Sequence, residues 1–138
     1  MTTRRFLDTN ILLYSISTAP DEAFKRDRSV EILEDGRCAL SAQVLQEFYV
    51  QATRPSKPRR IEHDHAAQLM ESWLRFEVHD LTPALIFSAL AIKTRFKLSY
   101  WDAAIVAAAQ AMQCDTLYSE DMSHGMKFGT LEIVNPFL

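Results

Sequence analysis

The sequence predicts an α/β fold in which a mainly parallel sheet carries helices on both faces. Short apolar runs of strand length alternate with longer stretches in which apolar residues recur at helical spacing. This alternation is typical of βαβ units, in which helices join parallel strands. The length of 138 residues is typical of one domain, and the presence of only three glycines argues against a repeat or a barrel. We therefore expect a single domain over residues 1–138.

In the first half of the chain the apolar pattern predicts two strands and four helices. In order, these are a strand at 4–7, a helix starting near Asn10, an amphipathic helix over 21–34 that ends at Gly36, a strand at 38–41, a helix over 44–52 and a helix over 64–74. Pro55 and Pro58 break the helix before them, so the residues around them are expected to form a loop.

The second half predicts three more strands and two more helices. Strands are expected at 76–81, 116–118 and 131–134. Thr82 and Pro83 are typical of the first positions of a helix, as N-cap and N1. The stretch 100–112 is apolar nearly all round, with Asp102 its only charge, so this helix should be buried at the centre of the fold.

Composition is that of an ordinary globular protein, with 48% apolar and 24% charged residues. No apolar run reaches the roughly 18 residues that a membrane span needs. Asp8 interrupts the first apolar stretch, so we expect no secretory signal. Cys38 and Cys114 lack metal-binding spacing, which favours reduced core thiols in a cytoplasmic protein.

The net charge of −3 gives no basic signature of a nucleic-acid binder. It does not exclude nucleic-acid binding. When four candidate ligand acids are set aside, 14 acids remain against 15 Lys and Arg, so the rest of the chain is close to neutral. Four basic residues also fall within seven positions with no acid among them, and we call this segment the basic loop: Arg54, Lys57, Arg59 and Arg60.

Four carboxylates lie where an apolar run gives way to a polar turn or helix: Asp8, Glu47, Asp102 and Asp121. The carboxyl ends of parallel strands meet in one crevice, so acids far apart in sequence can meet there. Two carboxylates about 4 Å apart repel by roughly 4 kcal/mol at an effective dielectric constant near 20. Protons or a hard cation must relieve this repulsion, and oxygen ligands suit Mg²⁺ or Mn²⁺. The acids therefore indicate a metal-dependent nuclease.

Each acid also has a structural explanation. Asp8 is placed to cap the first helix, Glu47 to be a solvated helix residue and Asp121 to be a turn residue. Ser99 and Asp102 form a capping-box pattern. Asp102 is the hardest to explain in this way, because no Lys or Arg lies within four residues of it and a buried acid needs a partner.

Four segments carry a resemblance to a known family: residues 7–10, Glu47 on its helix, residues 101–105 with their alanine-rich continuation, and residues 117–122. In this order and spacing they resemble the acidic motifs of PIN-domain ribonucleases, most closely the VapC-type toxins of toxin–antitoxin pairs. The ending at 133–137 agrees, so the resemblance covers the whole chain. Each motif alone is weakly specific, whereas the ordered set is strongly specific.

The resemblance implies a three-layer α/β/α sandwich that cleaves RNA endonucleolytically with one or two Mg²⁺ or Mn²⁺ ions. Asp8, Asp102 and Asp121 would hold metal directly or through water, and Glu47 would complete the set, either directly or through water. Small polar residues would orient the carboxylates or the attacking water: Thr9, Asn10 and Ser119. Glu120 leaves an ambiguity, and the family pattern favours Asp121.

The resemblance also implies partners, namely an RNA substrate, a cognate antitoxin bound by amino-terminal helices, and a second copy in a homodimer. The basic loop is placed to contact RNA phosphates, although a solvated loop explains it equally well. His124 is a further candidate for substrate contact. His63 and His65 do not face each other on a helix, which favours surface residues over a metal site.

Three alternatives remain. A catalytically silent PIN-like module that binds protein or RNA would be expected to lack an acid, and none is missing. A phosphatase with an early aspartate nucleophile usually has a second acid two residues later, where this chain has Asn10. A receiver domain needs an acidic pair before its first helix, and this chain has only Asp8 there. The sequence does not indicate which RNA is cut, how many ions bind or which antitoxin pairs with the chain.

Overall fold

The computed structural model describes residues 4–138, so the first three residues of the expected domain lie outside the described part. The strands are β1 (Arg5–Leu7), β2 (Cys38–Ser41), β3 (Glu77–His79), β4 (Thr116–Tyr118), β5 (Lys127–Phe128) and β6 (Leu131–Val134). The helices are α1 (Thr9–Ser15), α2 (Ala23–Asp35), α3 (Ala42–Ala52), α4 (His63–Ser72), α5 (Pro83–Phe96) and α6 (Tyr100–Ala111).

The six strands form one sheet in the order β3-β2-β1-β4-β6-β5. All neighbours are parallel except β5 and β6. The prediction of an α/β fold with a mainly parallel sheet is therefore confirmed. The chain runs outward from β1 to β3 and then returns to β4 on the other side of β1. This reversal leaves a crevice beyond the carboxyl ends of β1 and β4, where open parallel sheets bind their ligands.

The middle of helix α6 is buried at the centre of the fold, as its composition predicts, whereas Trp101 at its start and Gln110 and Ala111 at its end are exposed. Residues 103–109 are all buried, and five of these seven are alanines, whose small side chains let other elements approach closely. Ser99 caps the helix, because its hydroxyl accepts a hydrogen bond from the backbone N–H of Asp102 at 3.1 Å. The amino-terminal turn of α6 is thereby fixed, and that turn carries Asp102.

The structure differs from the sequence prediction mainly in short elements. The expected strand over 76–81 is only Glu77–His79, and the helix expected to run to Leu74 gives way to a 3₁₀ turn at Trp73–Arg75. Strand β5 was not predicted, because two residues carry too little periodicity to identify a strand. Its two-residue loop to β6 begins at Gly129, whose φ of +64° favours glycine.

Both cysteines are buried and free, as expected for core thiols. Burial raises the pKa of each thiol to about 11, so both remain protonated at neutral pH.

Within the described part of the chain, no helix has the length and apolar character needed to cross a membrane.

Candidate active site

The structure brings the four sequence-predicted acids to one cavity of about 130 Å³ beyond the carboxyl ends of β1 and β4. Each acid comes from a different element: Asp8 follows β1, Glu47 lies on α3, Asp102 lies in the first turn of α6, and Asp121 follows β4. Ten residues line this acidic cavity, namely Asp8, Thr9, Asn10, Leu13, Glu47, Gln51, Trp101, Asp102, Ile105 and Asp121.

Asp8 is the most buried of the four acids, with only 8% of its surface exposed. Its Oδ1 accepts the backbone N–H of Thr9 at 2.7 Å, and its Oδ2 accepts the Ser119 hydroxyl at 2.8 Å. The pKa of Asp8 is raised to about 6, mainly by burial and in smaller part by the charges of Glu47 and Asp121, whereas the two hydrogen bonds oppose the rise. The fold thus makes ionisation of the Asp8 carboxyl group costly unless a cation lies nearby.

Glu47 is held through both of its carboxylate oxygens. The Thr9 hydroxyl donates to Oε2 at 2.9 Å, and the Gln43 side-chain amide donates to Oε1 at 2.7 Å. Gln43 lies one helical turn before Glu47 on α3, so the two side chains are neighbours on that helix. Its amide also lies 3.5 Å from the Trp101 carbonyl, which links α3 to α6. Glu47 therefore faces the acidic cavity in one fixed orientation.

Asp102 lies at the rim, where it is half-buried. Burial raises the pKa of its carboxyl group, the charges of Asp121 and Glu47 add to this, and hydrogen bonding to Ser99 opposes it. The capping box explains why an acid begins this apolar helix, yet the electrostatic coupling to Asp121 and Glu47 remains. Capping and participation in the acidic cavity are compatible.

Adjacent Glu120 and Asp121 point to different surroundings. Asp121 lines the acidic cavity, and its Oδ2 accepts the Asn10 side-chain amide at 3.0 Å. Glu120 instead forms an ion pair with Lys25 of α2 at 2.6 Å. Lys25 also lies 3.4 Å from the Tyr14 hydroxyl. Asp121 is thus the acid of this motif that the fold places in the cavity.

The three small polar residues predicted to support the acids each contact one of them. Thr9 donates to Glu47, Asn10 donates to Asp121 and Ser119 donates to Asp8. The Asn10 Oδ1 atom is buried without a hydrogen-bond partner among residues 4–138. A buried unsatisfied oxygen at an acidic cavity fits an additional cation or water there.

The chemistry of this donor set fits a hydrated divalent ion. In the described residues none of the four acids forms a salt bridge with Lys or Arg, so their charge is not neutralised by the protein. No three His, Cys, Asp or Glu side chains between residues 4 and 138 converge as a ready-made metal cage. Mg²⁺ usually keeps several waters and takes only one or two carboxylates directly, so an open arrangement suits it.

A larger cavity of about 520 Å³ adjoins the acidic cavity and shares Asn10, Leu13 and Asp121 with it. From the basic loop, Lys57 and Arg59 line this larger cavity. Arg59 also donates to the Thr18 carbonyl at 3.1 Å.

The other predicted substrate contacts lie outside both cavities. Arg54 and Arg60 are exposed, and Arg60 donates to the Pro55 carbonyl. His124 is also exposed, and its Nδ1 accepts the Asn135 N–H at 2.9 Å. His63 and His65 are surface residues, and His63 lies 2.9 Å from the Tyr49 hydroxyl.

Sequence reasoning missed four residues that shape the site: Gln43, Gln51, Trp101 and Lys25. Gln43 carried a detectable signal, because it lies four residues before Glu47 and such pairs interact on a helix. The contact of Lys25 with Glu120 spans 95 residues and has no local signature.

The comparisons with known proteins agree with this fold. The family model described as PIN domain matches residues 5–124. A search of curated proteins found no match. Among solved structures, a toxin–antitoxin complex from Klebsiella pneumoniae is similar, with 19% identity, coverage of 96% of this chain and 97% of that chain, and a TM-score of 0.70.

Two further solved structures have a similar fold. The VapC20 toxin of Mycobacterium tuberculosis, described as cleaving the sarcin–ricin loop, has 18% identity, coverage of 85% and 89%, and a TM-score of 0.67. VapBC2 from Rickettsia felis, bound to a DNA fragment from its promoter, has 22% identity, coverage of 95% and 97%, and a TM-score of 0.64.

Proposed function

We propose that this chain, which belongs to the PIN-domain family over residues 5–124, is a Mg²⁺- or Mn²⁺-dependent endoribonuclease and the toxin of a toxin–antitoxin pair. The observation that carries this proposal is the acidic cavity, which is lined by four acids from four separate parts of the chain. The described residues provide no cationic side chain to pair with them. Stability alone does not explain the burial of Asp8 beside three further acids, since a buried unpaired charge destabilises a fold.

In the mechanism, Asp8, Asp102 and Asp121 would hold the metal directly or through water, and Glu47 would complete the set through water. A bound divalent ion lowers the pKa of an attacking water and stabilises charge on the phosphate and leaving oxygens. Thr9 and Gln43 fix the Glu47 carboxylate, and its remaining lone pairs would orient that water. Asn10 and Ser119 hold Asp121 and Asp8 in the same way.

The larger cavity extends the proposed site toward the basic loop. An RNA strand that enters there would meet Lys57 and Arg59 before reaching the acids. Such contacts to phosphates position a substrate without reading its sequence. A contribution from Arg54, Arg60 or His124 remains a prediction.

A cognate antitoxin and a homodimer are part of the proposal. Toxin–antitoxin complexes with this fold support the first partner. Exposed apolar side chains on one face of α5, Phe87 and Leu90, support a self-contact. Light scattering of wild type and Phe87→Glu tests the dimer, because a charge in an apolar interface would shift the protein to the monomer. If Phe87→Glu has the same oligomeric mass as the wild type, the exposed face of α5 does not form the dimer contact.

The activity is tested with mixed RNA in Mg²⁺, with and without EDTA. We expect cleavage in Mg²⁺, none in EDTA, and a loss of about 100-fold or more in Asp102→Asn. Asp64→Asn is the matched control, because it removes the same charge from an exposed position on α4. Full cleavage by Asp102→Asn would refute the site. Binding without cleavage in the wild type would favour a silent binding module.

A further inference from the structure

Trp101 stands out because a large apolar side chain is exposed beside the acids. It is 64% exposed, whereas Trp73, the other of the chain's two tryptophans, is 3% exposed. Trp101 directly precedes Asp102 and lines the acidic cavity. Its indole ring is therefore a large apolar surface open to a ligand at the edge of the acidic cavity.

The backbone of Trp101 is fixed, and its ring is supported from one side. Its carbonyl oxygen lies 3.5 Å from the Gln43 amide, which also holds Glu47. The ring packs edge-to-face on Tyr100, with centroids 5.1 Å apart and an angle of 82° between the planes. A restrained ring with a large exposed surface is the arrangement on which a nucleobase stacks in single-stranded nucleic-acid binding.

We propose that Trp101 is a stacking platform for an unpaired nucleobase next to the phosphodiester bond that is cut. This inference rests on the proposed function and identifies the residue of this chain that would hold an unpaired base beside the bond that is cut. In duplex RNA the bases are stacked on one another, and the ring has no free base to accept. Stacking tolerates any base, so Trp101 selects for unpaired structure and contributes little sequence preference.

Binding is measured in an Asp8→Asn background, which prevents cleavage, with one mixed-sequence 12-nucleotide RNA as a single strand and as a duplex. We expect Trp101→Ala to weaken single-strand binding about 10-fold, the size of one base–aromatic stack, and to change duplex binding less than 2-fold. Trp101→Phe should restore most of the affinity. Leu74→Ala is the matched control, because Leu74 is 61% exposed but lies in the 3₁₀ turn at Trp73–Arg75 and lines neither cavity.

Acrylamide quenching gives a second readout that does not depend on cleavage. Because Trp73 is buried, quenching of the free protein should come mainly from Trp101, and single-stranded RNA should protect it. A Trp101→Phe protein, which keeps only Trp73, measures the background quenching.

The proposal is overturned if Trp101→Ala binds single-stranded RNA as tightly as Leu74→Ala. It is also overturned if RNA leaves Trp101 quenching unchanged, or if Trp101→Ala only lowers the oligomeric mass. A wild-type protein that binds RNA with Trp101 protected yet never cleaves would count against the nuclease and support the platform.

Discussion

Replacing Asp8 with Asn should stabilise the metal-free protein at neutral pH while removing its activity. Burial raises the pKa of Asp8 from 3.8 to about 6. This difference corresponds to about 3 kcal/mol by which ionisation of Asp8 weakens the fold. An Asn side chain keeps the Thr9 hydrogen bond and can donate to the Ser119 oxygen, so no group is left unpaired. We therefore expect a gain of about 2 to 3 kcal/mol, or roughly 10 °C in Tm.

The pH dependence separates this effect from ordinary packing. The contribution of neutral Asp8 to the free energy of unfolding is fully present below pH 3.8. This contribution is lost as the pH rises through about 6. The difference between Asp8→Asn and wild type should therefore be near zero at pH 4 and largest at pH 7.5. Thermal unfolding of both proteins in EDTA measures it. A variant less stable than wild type at pH 7.5, or a difference that does not change with pH, would refute the reasoning.

Three further predictions follow from single contacts. Thr9→Val removes the hydroxyl that holds Glu47 and should lower kcat by roughly 10-fold or more with little change in Tm, as steady-state kinetics and melting will show. Lys25→Met breaks the ion pair with Glu120, which precedes Asp121 in the same turn, and should therefore weaken Mn²⁺ binding several-fold. Calorimetry measures this binding, and Arg26→Met on the same helix should leave it unchanged. Lys57→Gln should reduce the slope of log RNA affinity against log salt by about 0.7, and an unchanged slope would place the basic loop outside the RNA path.

The sequence was sufficient to predict the alternating elements and the convergence of the acids. Strand ends can be identified locally, and parallel topology then places Asp8 and Asp121 together. The burial of α6 could be predicted because its residues are apolar all round. The identity of the metal, the RNA and the partners is not encoded in such local patterns.

Other features arise only from tertiary structure. The separate surroundings of Glu120 and Asp121 depend on Lys25, which is distant in sequence and reaches the turn only after α2 has packed. Strand β5 exists because it pairs with β6, since its two residues carry no pattern of their own. The exposure of Trp101 is also unexpected, because a tryptophan that begins an apolar helix is expected to be buried.

The central claim is that four distant acids form one divalent-metal site, and crystals soaked in Mn²⁺ test it most directly. The account predicts an anomalous peak in the acidic cavity, within direct or water-mediated reach of Asp8, Asp102 and Asp121, and its absence in Asp102→Asn crystals. A cavity that stays without a peak at saturating Mn²⁺, or a peak bound only elsewhere on the protein, would contradict it.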